Sequence, residues 1–495
     1  MTATAEPGAA QSQSSETPDQ GSRIARGLGW SVVANVGLRM GNLLVSMLMA
    51  RLIAPEQFGV FAVALTVWTI LGALAEFGLG SDLIRADDLE RRAPTVGSLA
   101  LGISALLAAS MALAAAPIAA SFRSPESESV IRVMALSVFI FGLTVVPSAR
   151  LQRAFRQRTL FLVNGVGLLC SVVTMTVLAT HGAGPASLAW GQVALQIGTV
   201  VLLFSTTRTR PSFGFDPQIA RTSLLFCAPL AFANLLSWVL LSVDNLVVAR
   251  TLGPAELGLY VLAFNVSTWP MSAIGASIRA IALPAFAQVA DVGRRNAALV
   301  RCAGPTCTVA VLAGLMLSTL ATPIIVVLYG DRWSAAASAL VGLGVFGGLR
   351  VVLDLFATFL VAAGATVEVL LVQVGWLVVM IPAMYVGVRH YGLAGAGWSH
   401  VAVAVCVVLP LYAVCLHRLG VDVLLFLRGA VVPVLTAVPA VLVCSWIGGL
   451  DANPWLLLVV GVLAALLTYA LPLSRWWLRS VDQLRRPTAS VLEVS

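Results

Sequence analysis

Arg39 and Arg279 each interrupt an apolar run, and neither has an acidic residue three or four positions away. A charge among apolar neighbours must find a partner or do a job. Arginine's planar guanidinium donates two parallel hydrogen bonds and stays protonated. Two of them facing one cavity would clamp a delocalised anion such as a pyrophosphate. Asn35, Asn42 and Asn234 lie in similar runs; their amides suit sugar hydroxyls or, equally, hydrogen bonds between helices. Arg350 and Asp354 are spaced i,i+4, on one helix face, as a self-neutralising pair or a coupling site. Asp244, six residues before Arg250, is either a structural hydrogen-bond partner or a group that couples to a proton or another cation. Arg150, Arg153, Arg156 and Arg158 recur every two or three residues. Such a cluster marks a membrane boundary and touches headgroups; in the sharper reading it receives an incoming anionic headgroup. His400 could titrate near neutral pH. A lone helical histidine is more often a packed donor, and Glu76 reads as a helix end, so no site is placed on either.

The elements that must position these residues follow from composition. Of 495 residues, 59% are hydrophobic and 11% charged, against about 45–50% and 25% in a soluble domain. The bilayer is therefore the solvent for most of the chain. Backbone groups in lipid must be paired, and runs of roughly 20 apolar residues specify helices rather than barrel strands. Read with a window of about 19 residues, the first six helices fall near 28–50, 58–80, 97–120, 130–149, 159–180 and 185–205. Six more fall near 222–249, 256–284, 307–329, 335–362, 367–388 and 394–416, and a final pair near 429–448 and 454–473. Pro270 and Pro284 offer bends in the longest run.

All 30 basic residues are arginine, and with 22 acidic residues the net charge is +8. With 14 helices and an inner amino terminus, 21 arginines fall on inner segments, six on outer turns and three within the membrane. The positive-inside rule requires such an asymmetry, so helix count and orientation support each other. The basic balance then faces anionic lipid headgroups, with no need for nucleic acid. Residues 1–26 are polar and rich in Pro, Ser and Thr, and read as a disordered cytoplasmic tail. The apolar run that follows Arg26 is too long for a cleaved signal sequence and reads as the first anchor. At the other end, "SRWWLRSVDQLRRP" sets Trp476 and Trp477 beside arginines, the pattern of an interfacial helix within 474–495.

One stretch occurs twice. "ARLIAPEQFGVFAVA" (Ala50–Ala64) has a counterpart, "ARTLGPAELGLYVLA" (Ala249–Ala263), 199 residues later, and "AN" at Ala34 and Asn35 matches Ala233 and Asn234 at the same offset. Six helices separate the copies, and an even number puts both turns on one side of the membrane, as parallel repeats. The chain thus reads as two six-helix lobes, 27–210 and 221–418, plus a helix pair at 427–473. In each turn a proline, Pro55 or Pro254, stops one helix, and a glycine, Gly59 or Gly258, lets the next begin in close packing.

The first copy followed by "EFGLGSDLIR" (Glu76–Arg85) resembles the first hairpin of the Wzx-type polysaccharide-transport flippases. These belong to the multidrug/oligosaccharidyl-lipid/polysaccharide exporter superfamily. "RGLGW", "PSARLQRAFRQR" (Pro147–Arg158) and "SVDNLVVARTLGPAELGLY" (Ser242–Tyr260) resemble that family's start, its basic loop between helices four and five, and its seventh-helix region. After about residue 360, "VAAGATVEVLL" lacks the basic loop the family would place there. The resemblance implies transfer of an isoprenoid-pyrophosphate-linked oligosaccharide across the cytoplasmic membrane by two lobes rocking about a central cavity.

The expectation is thus an all-α polytopic membrane protein of about 14 helices in the bacterial cytoplasmic membrane, both termini cytoplasmic, making and breaking no bond. A Walker A loop needs a lysine and there is none; HExxH and GxSxG are absent. The first outer turn is only "RLIAPEQ", with Glu56 its sole acid, too little for a membrane glycosyltransferase or polymerase. A cation-coupled small-molecule exporter on the same scaffold is the alternative, disfavoured because the unpaired intramembrane charges lean basic. The seven cysteines mostly lie in apolar runs without a CxxC pair, so no metal or other cofactor is expected. Expected partners are the lipid-linked oligosaccharide, membrane lipids, and a polysaccharide polymerase or glycosyltransferase.

Overall fold

The computed structural model describes residues 37–38, 40–76, 78–86, 88–209, 211–240, 242–270, 286 and 291–485. Among them all regular structure is helical, and ten helical runs are long and apolar enough to cross a membrane. Helix α1 (Met40–Leu52) leads into α2 (Pro55–Glu76), then come the short α3 (Leu79–Arg85), α4 (Leu89–Leu113) and α5 (Ala115–Ser121). Helices α6 (Ser127–Phe141) and α7 (Val145–Arg153) form one span through a 3₁₀ turn, followed by α8 (Gln157–Thr180) and α9 (Pro185–Thr207). The second half runs α10 (Pro217–Leu240), α11 (Val243–Leu252), α12 (Pro254–Ser267), α13 (Val292–Thr319), α14 (Ala321–Tyr329) and α15 (Ala336–Ala362). Then follow α16 (Thr366–Val403), α17 (Leu409–Arg418), α18 (Val423–Gly448), α19 (Pro454–Ala465) and α20 (Leu471–Arg485).

Two boundaries differ from the hydropathy reading, and a third is sharpened by a glycine. The run expected at 222–249 is broken between Leu240 and Val243. The runs expected at 367–388 and 394–416 are two helical arms of α16, as read, meeting at Gly392, whose φ of 59° and ψ of −139° no other residue type adopts cheaply. Ser399 Oγ then donates to the Ala383 carbonyl at 3.0 Å, from one arm to the other. Helix α13 begins at Val292, well before the expected 307, because its first turns carry Arg294, Arg295 and Arg301 and are not apolar. Asp291 caps it, Oδ1 accepting from the Arg294 backbone N–H at 2.7 Å.

Lipid offers apolar helices no hydrophobic reason to associate, so close packing must come from small residues. Helix α15 shows this: a β-carbon at Gly347 would lie 2.3 Å from the Ser267 carbonyl oxygen, and one at Gly348 2.3 Å from that of Ala310. These two glycines let α12 and α13 touch the α15 backbone. Helices α18 and α19 instead expose Leu435, Leu442, Trp446 and Leu463, side chains that only lipid would solvate. Helix α20 lays Trp476 against Gly304 of α13.

Candidate functional site

The two copies of the repeated turn face each other. Pro55 and Pro254 each open a helix, where the missing N–H is no loss. A β-carbon at Gly59 would lie 1.7 Å from the Pro254 carbonyl oxygen, and one at Gly258 2.4 Å from that of Pro55. The backbones of α2 and α12 are therefore in direct contact, which only glycine permits. Trp333, fully buried, fastens the same end. Its Nε1 donates to the Ala50 carbonyl at 2.7 Å and its ring meets Phe58 edge-on, centroids 5.5 Å apart. Arg250 Nε donates to the Ser121 carbonyl at 2.7 Å. Each contact joins the first half of the chain to the second, and together they close this end, here called the turn end.

Below the turns lies a buried polar cluster. The Tyr260 hydroxyl donates to Asp244 Oδ2 at 2.7 Å and stands 2.8 Å from His400 Nε2. A hydroxyl has one hydrogen, so that second contact needs His400 Nε2 to carry a proton and donate. His400 Nδ1 is then left without a hydrogen-bond partner among the described residues. Asp244 Oδ1 accepts from the Asn245 backbone N–H at 2.9 Å, so both carboxylate oxygens are engaged. The Arg350 guanidinium lies 5.6 Å from the Phe346 ring centre and 6.0 Å from that of Phe264, over rings that also flank His400. Asp354 follows one turn later on α15.

Beside this cluster a cavity of about 140 Å³ opens between α2 and α10–α12, with Thr66, Thr69, Trp238, Asp244, Asn245 and Asn265 on its wall. Asn245 Nδ2 donates to Thr66 Oγ1 at 3.0 Å, and Thr66 in turn donates to the Ala62 carbonyl at 2.8 Å. A larger cavity of about 690 Å³ lies elsewhere, between α13, α15 and α18, with Val352, Phe356, Phe426 and Val434 among its walls. No charged residue lines it, so its chemistry is that of hydrocarbon.

The opposite, arginine-rich end carries its own network. Asp82 on α3 accepts from Ser223 Oγ of α10 at 2.6 Å and lies 3.6 Å from Arg92, which also pairs with Asp88 at 2.8 Å. Arg85 stacks over Phe226 at 4.8 Å. Of the arginine cluster, Arg150 pairs with Glu90 at 2.6 Å and Arg153 donates to the Ala86 carbonyl, while Arg156 and Arg158 are exposed. Arg39, Arg279, Asn35 and the side chains of Asn234 and Glu76 lie outside the described residues. Asn42 stands exposed on α1.

Tyr260, His400, Trp333 and the Asp82–Ser223 pair carry no role in the sequence reading. A signal for the first existed in the repeat: Tyr260 stands where the first copy has Phe61, and Asp244 where it has Val45. A hydroxyl and a carboxylate gained at matching positions in one copy only are candidates to meet.

These helices and contacts define a polytopic α-helical membrane protein whose two halves meet at the repeated turns. Residues 48–338 match the family described as Polysaccharide biosynthesis protein, and the chain belongs to that family. The succinoglycan biosynthesis transport protein ExoT of Rhizobium meliloti (strain 1021) is 27% identical over 69% of each chain. The lipopolysaccharide biosynthesis protein WzxC of Escherichia coli (strain K12) is 24% identical over 74% of this chain and 76% of its own. Among solved structures, the lipid II flippase MurJ in an inward closed conformation superposes with a TM-score of 0.73 at 14% identity, over 92% of this chain and all (100%) of that one. An inward-facing multidrug transporter of the MOP superfamily gives 0.62 at 17% identity, over 79% and 99%. At these identities the structural likeness speaks for the fold.

Proposed function

We propose that the protein is a flippase that carries an isoprenoid-pyrophosphate-linked oligosaccharide, a precursor of cell-envelope or extracellular polysaccharide, from the inner to the outer leaflet. Its two lobes, 27–210 and 221–418, alternate access to a central cavity, with the pair at 427–473 completing 14 helices and both termini cytoplasmic. The turn end is the outer end. The observation that supports this reading is the paired-glycine contact of the repeated turns, which joins the two halves at that end in a member of a polysaccharide biosynthesis family. A headgroup then enters from the arginine-rich inner side while its lipid tail stays in the bilayer. Binding drives opening only through contacts that differ between the two states. In this scheme Arg39 and Arg279 clamp the pyrophosphate, aided by Asn35, Asn42 and Asn234. Arg150, Arg153, Arg156 and Arg158 receive the headgroup. Asp244, Arg350 and Asp354 set the equilibrium between states. No bond is made or broken, and a polymerase or glycosyltransferase partner would consume the product outside.

The test is translocation of a fluorescent isoprenoid-pyrophosphate oligosaccharide in proteoliposomes by wild type, Arg39→Ala and Arg279→Ala, each checked for a monodisperse elution profile. Transport by wild type and its loss in both variants is the expected result. Transport unaffected in both would remove the arginine clamp. No wild-type transport under imposed proton, sodium and voltage gradients would overturn the flippase reading.

A further inference from the structure

The cavity under the turn end is small and mixed in character, with an indole, amides and hydroxyls set among apolar side chains. Trp238 is among its lining residues and is 42% accessible. Around it stand two primary amides, Asn245 and Asn265, and two hydroxyls, Thr66 and Thr69. Thr69 donates to the Thr66 carbonyl at 2.8 Å, which leaves its lone pairs as acceptors. The Asn265 amide is exposed and makes no side-chain hydrogen bond among the described residues.

What ligand would such a wall take? A bare cation wants several oxygen anions or carbonyls at fixed short distances. The one carboxylate here, on Asp244, already has both oxygens engaged. The volume of about 140 Å³ is also several times the roughly 30 Å³ share of one water. Amides and hydroxyls, in contrast, both donate and accept, which matches a ligand whose own hydroxyls do both. A flat indole offers an apolar face to the C–H face of a ring. A neutral polyhydroxylated ring satisfies both kinds of wall at once. An apolar lipid tail would leave the amides unpaired, at a cost.

We propose that this cavity is the saccharide subsite of the translocation path: one sugar ring of the headgroup stacks on Trp238 while Asn265, Asn245 and the threonines bond its hydroxyls. The inference rests on the flippase reading and adds to it where the glycan is read. Asp244 acts here as a positioning residue. Through its hydrogen bonds to Tyr260 and the Asn245 backbone it fixes α11, and with it the Asn245 amide, against α12. The subsite draws on both halves of the chain, Thr66 and Thr69 from α2 and the rest from α10–α12. Separation of the turn end therefore pulls its two walls apart, so the sugar would be gripped while the outer end is closed and released when it opens.

The full-length protein in nanodiscs is titrated with farnesyl pyrophosphate and with the same lipid esterified to glucose or to galactose. Wild type is expected to bind at least one glycosylated probe about tenfold more tightly than the bare pyrophosphate, a factor of the size that one stacked ring and one or two net hydrogen bonds supply. Trp238→Ala should erase that preference while leaving affinity for farnesyl pyrophosphate unchanged. Trp238→Phe, which keeps a flat ring, should retain most of it, and Asn265→Ala should lower it about threefold, the size of a single neutral hydrogen bond. Equal binding of bare and glycosylated probes by wild type, or an undiminished preference in Trp238→Ala, would overturn the subsite and leave the flippase reading standing. Loss of bare pyrophosphate affinity in both Trp238 variants would make the residue structural and likewise overturn it. A preference that appears in sodium and vanishes in choline would assign the cavity to a cation. Failure of wild type to bind any probe would count against the flippase reading itself.

Discussion

Replacing Gly59 by alanine puts one methyl group where the two halves of the chain leave no room. Its carbon would lie 1.7 Å from the Pro254 carbonyl oxygen and 2.4 Å from the carbonyl carbon, both rigid backbone atoms. An ordinary contact is about 3.5 Å, so α2 and α12 must part by roughly 1.5–2 Å or distort. Overpacking of this kind costs about 1–3 kcal/mol. Alanine also improves helix propensity by about 0.5–1 kcal/mol, but α2 is a helix whether the turn end is closed or open, so that gain cancels. The closed state alone bears the clash, and 1–3 kcal/mol moves the closed–open ratio about 5- to 150-fold. The readout is Thr66→Cys, in a background with the seven native cysteines replaced. Thr66 is 4% exposed and lies under the seal. A membrane-impermeant maleimide added outside intact cells should label it at least fivefold faster with Gly59→Ala than with Gly59, the lower bound of that range. Gly72→Ala is the control on the same helix, since its β-carbon meets nothing within 4 Å. Equal labelling of the Gly59→Ala and Gly72→Ala proteins, both folded, would refute the proposal that this contact holds the turn end shut and that this end faces outward.

Two further outcomes are expected. Trp333→Phe keeps the ring against Phe58 but removes the donor to the Ala50 carbonyl, and a buried acceptor left bare costs about 1–3 kcal/mol; the thermal midpoint in detergent should fall, and an unchanged midpoint would mean water replaces the indole N–H. Tyr260→Phe strips the hydroxyl that lies between Asp244 and His400; because a buried acceptor loses its donor, the destabilisation should be about 1–3 kcal/mol, and a midpoint equal to wild type would show that Asp244 does not depend on it.

Much of the helix pattern was legible because apolar runs in lipid have one backbone solution. Spans such as 185–205 and 335–362 fall within two residues of the helices Pro185–Thr207 and Ala336–Ala362. Helix ends that leave the apolar layer were less legible. The arginine-bearing start of α13 shows no hydropathy signal, and its boundary is set by the Asp291 cap. The break before Val243 is weakly marked in composition, since only Ser242 interrupts the apolar residues there before Asp244. Of the candidate site, Asp244 and the Arg350–Asp354 spacing stood out as charges in apolar surroundings. Tyr260 and Trp238 did not, because one aromatic among many is unremarkable until its neighbours are known.

By itself the sequence determined the solvent, the all-helical class and the doubling of the hairpin, since hydropathy and duplication are properties of a chain read in order. Only the tertiary structure decided that the two copies of the turn meet each other, that Trp333 reaches Ala50 across 283 positions, and that Tyr260 joins Asp244 to a histidine 140 positions away. Those pairings depend on how closely helices approach. In lipid that is governed by where a glycine lets two backbones touch and where a buried donor finds an acceptor, neither of which the order of residues along one strand of chain discloses.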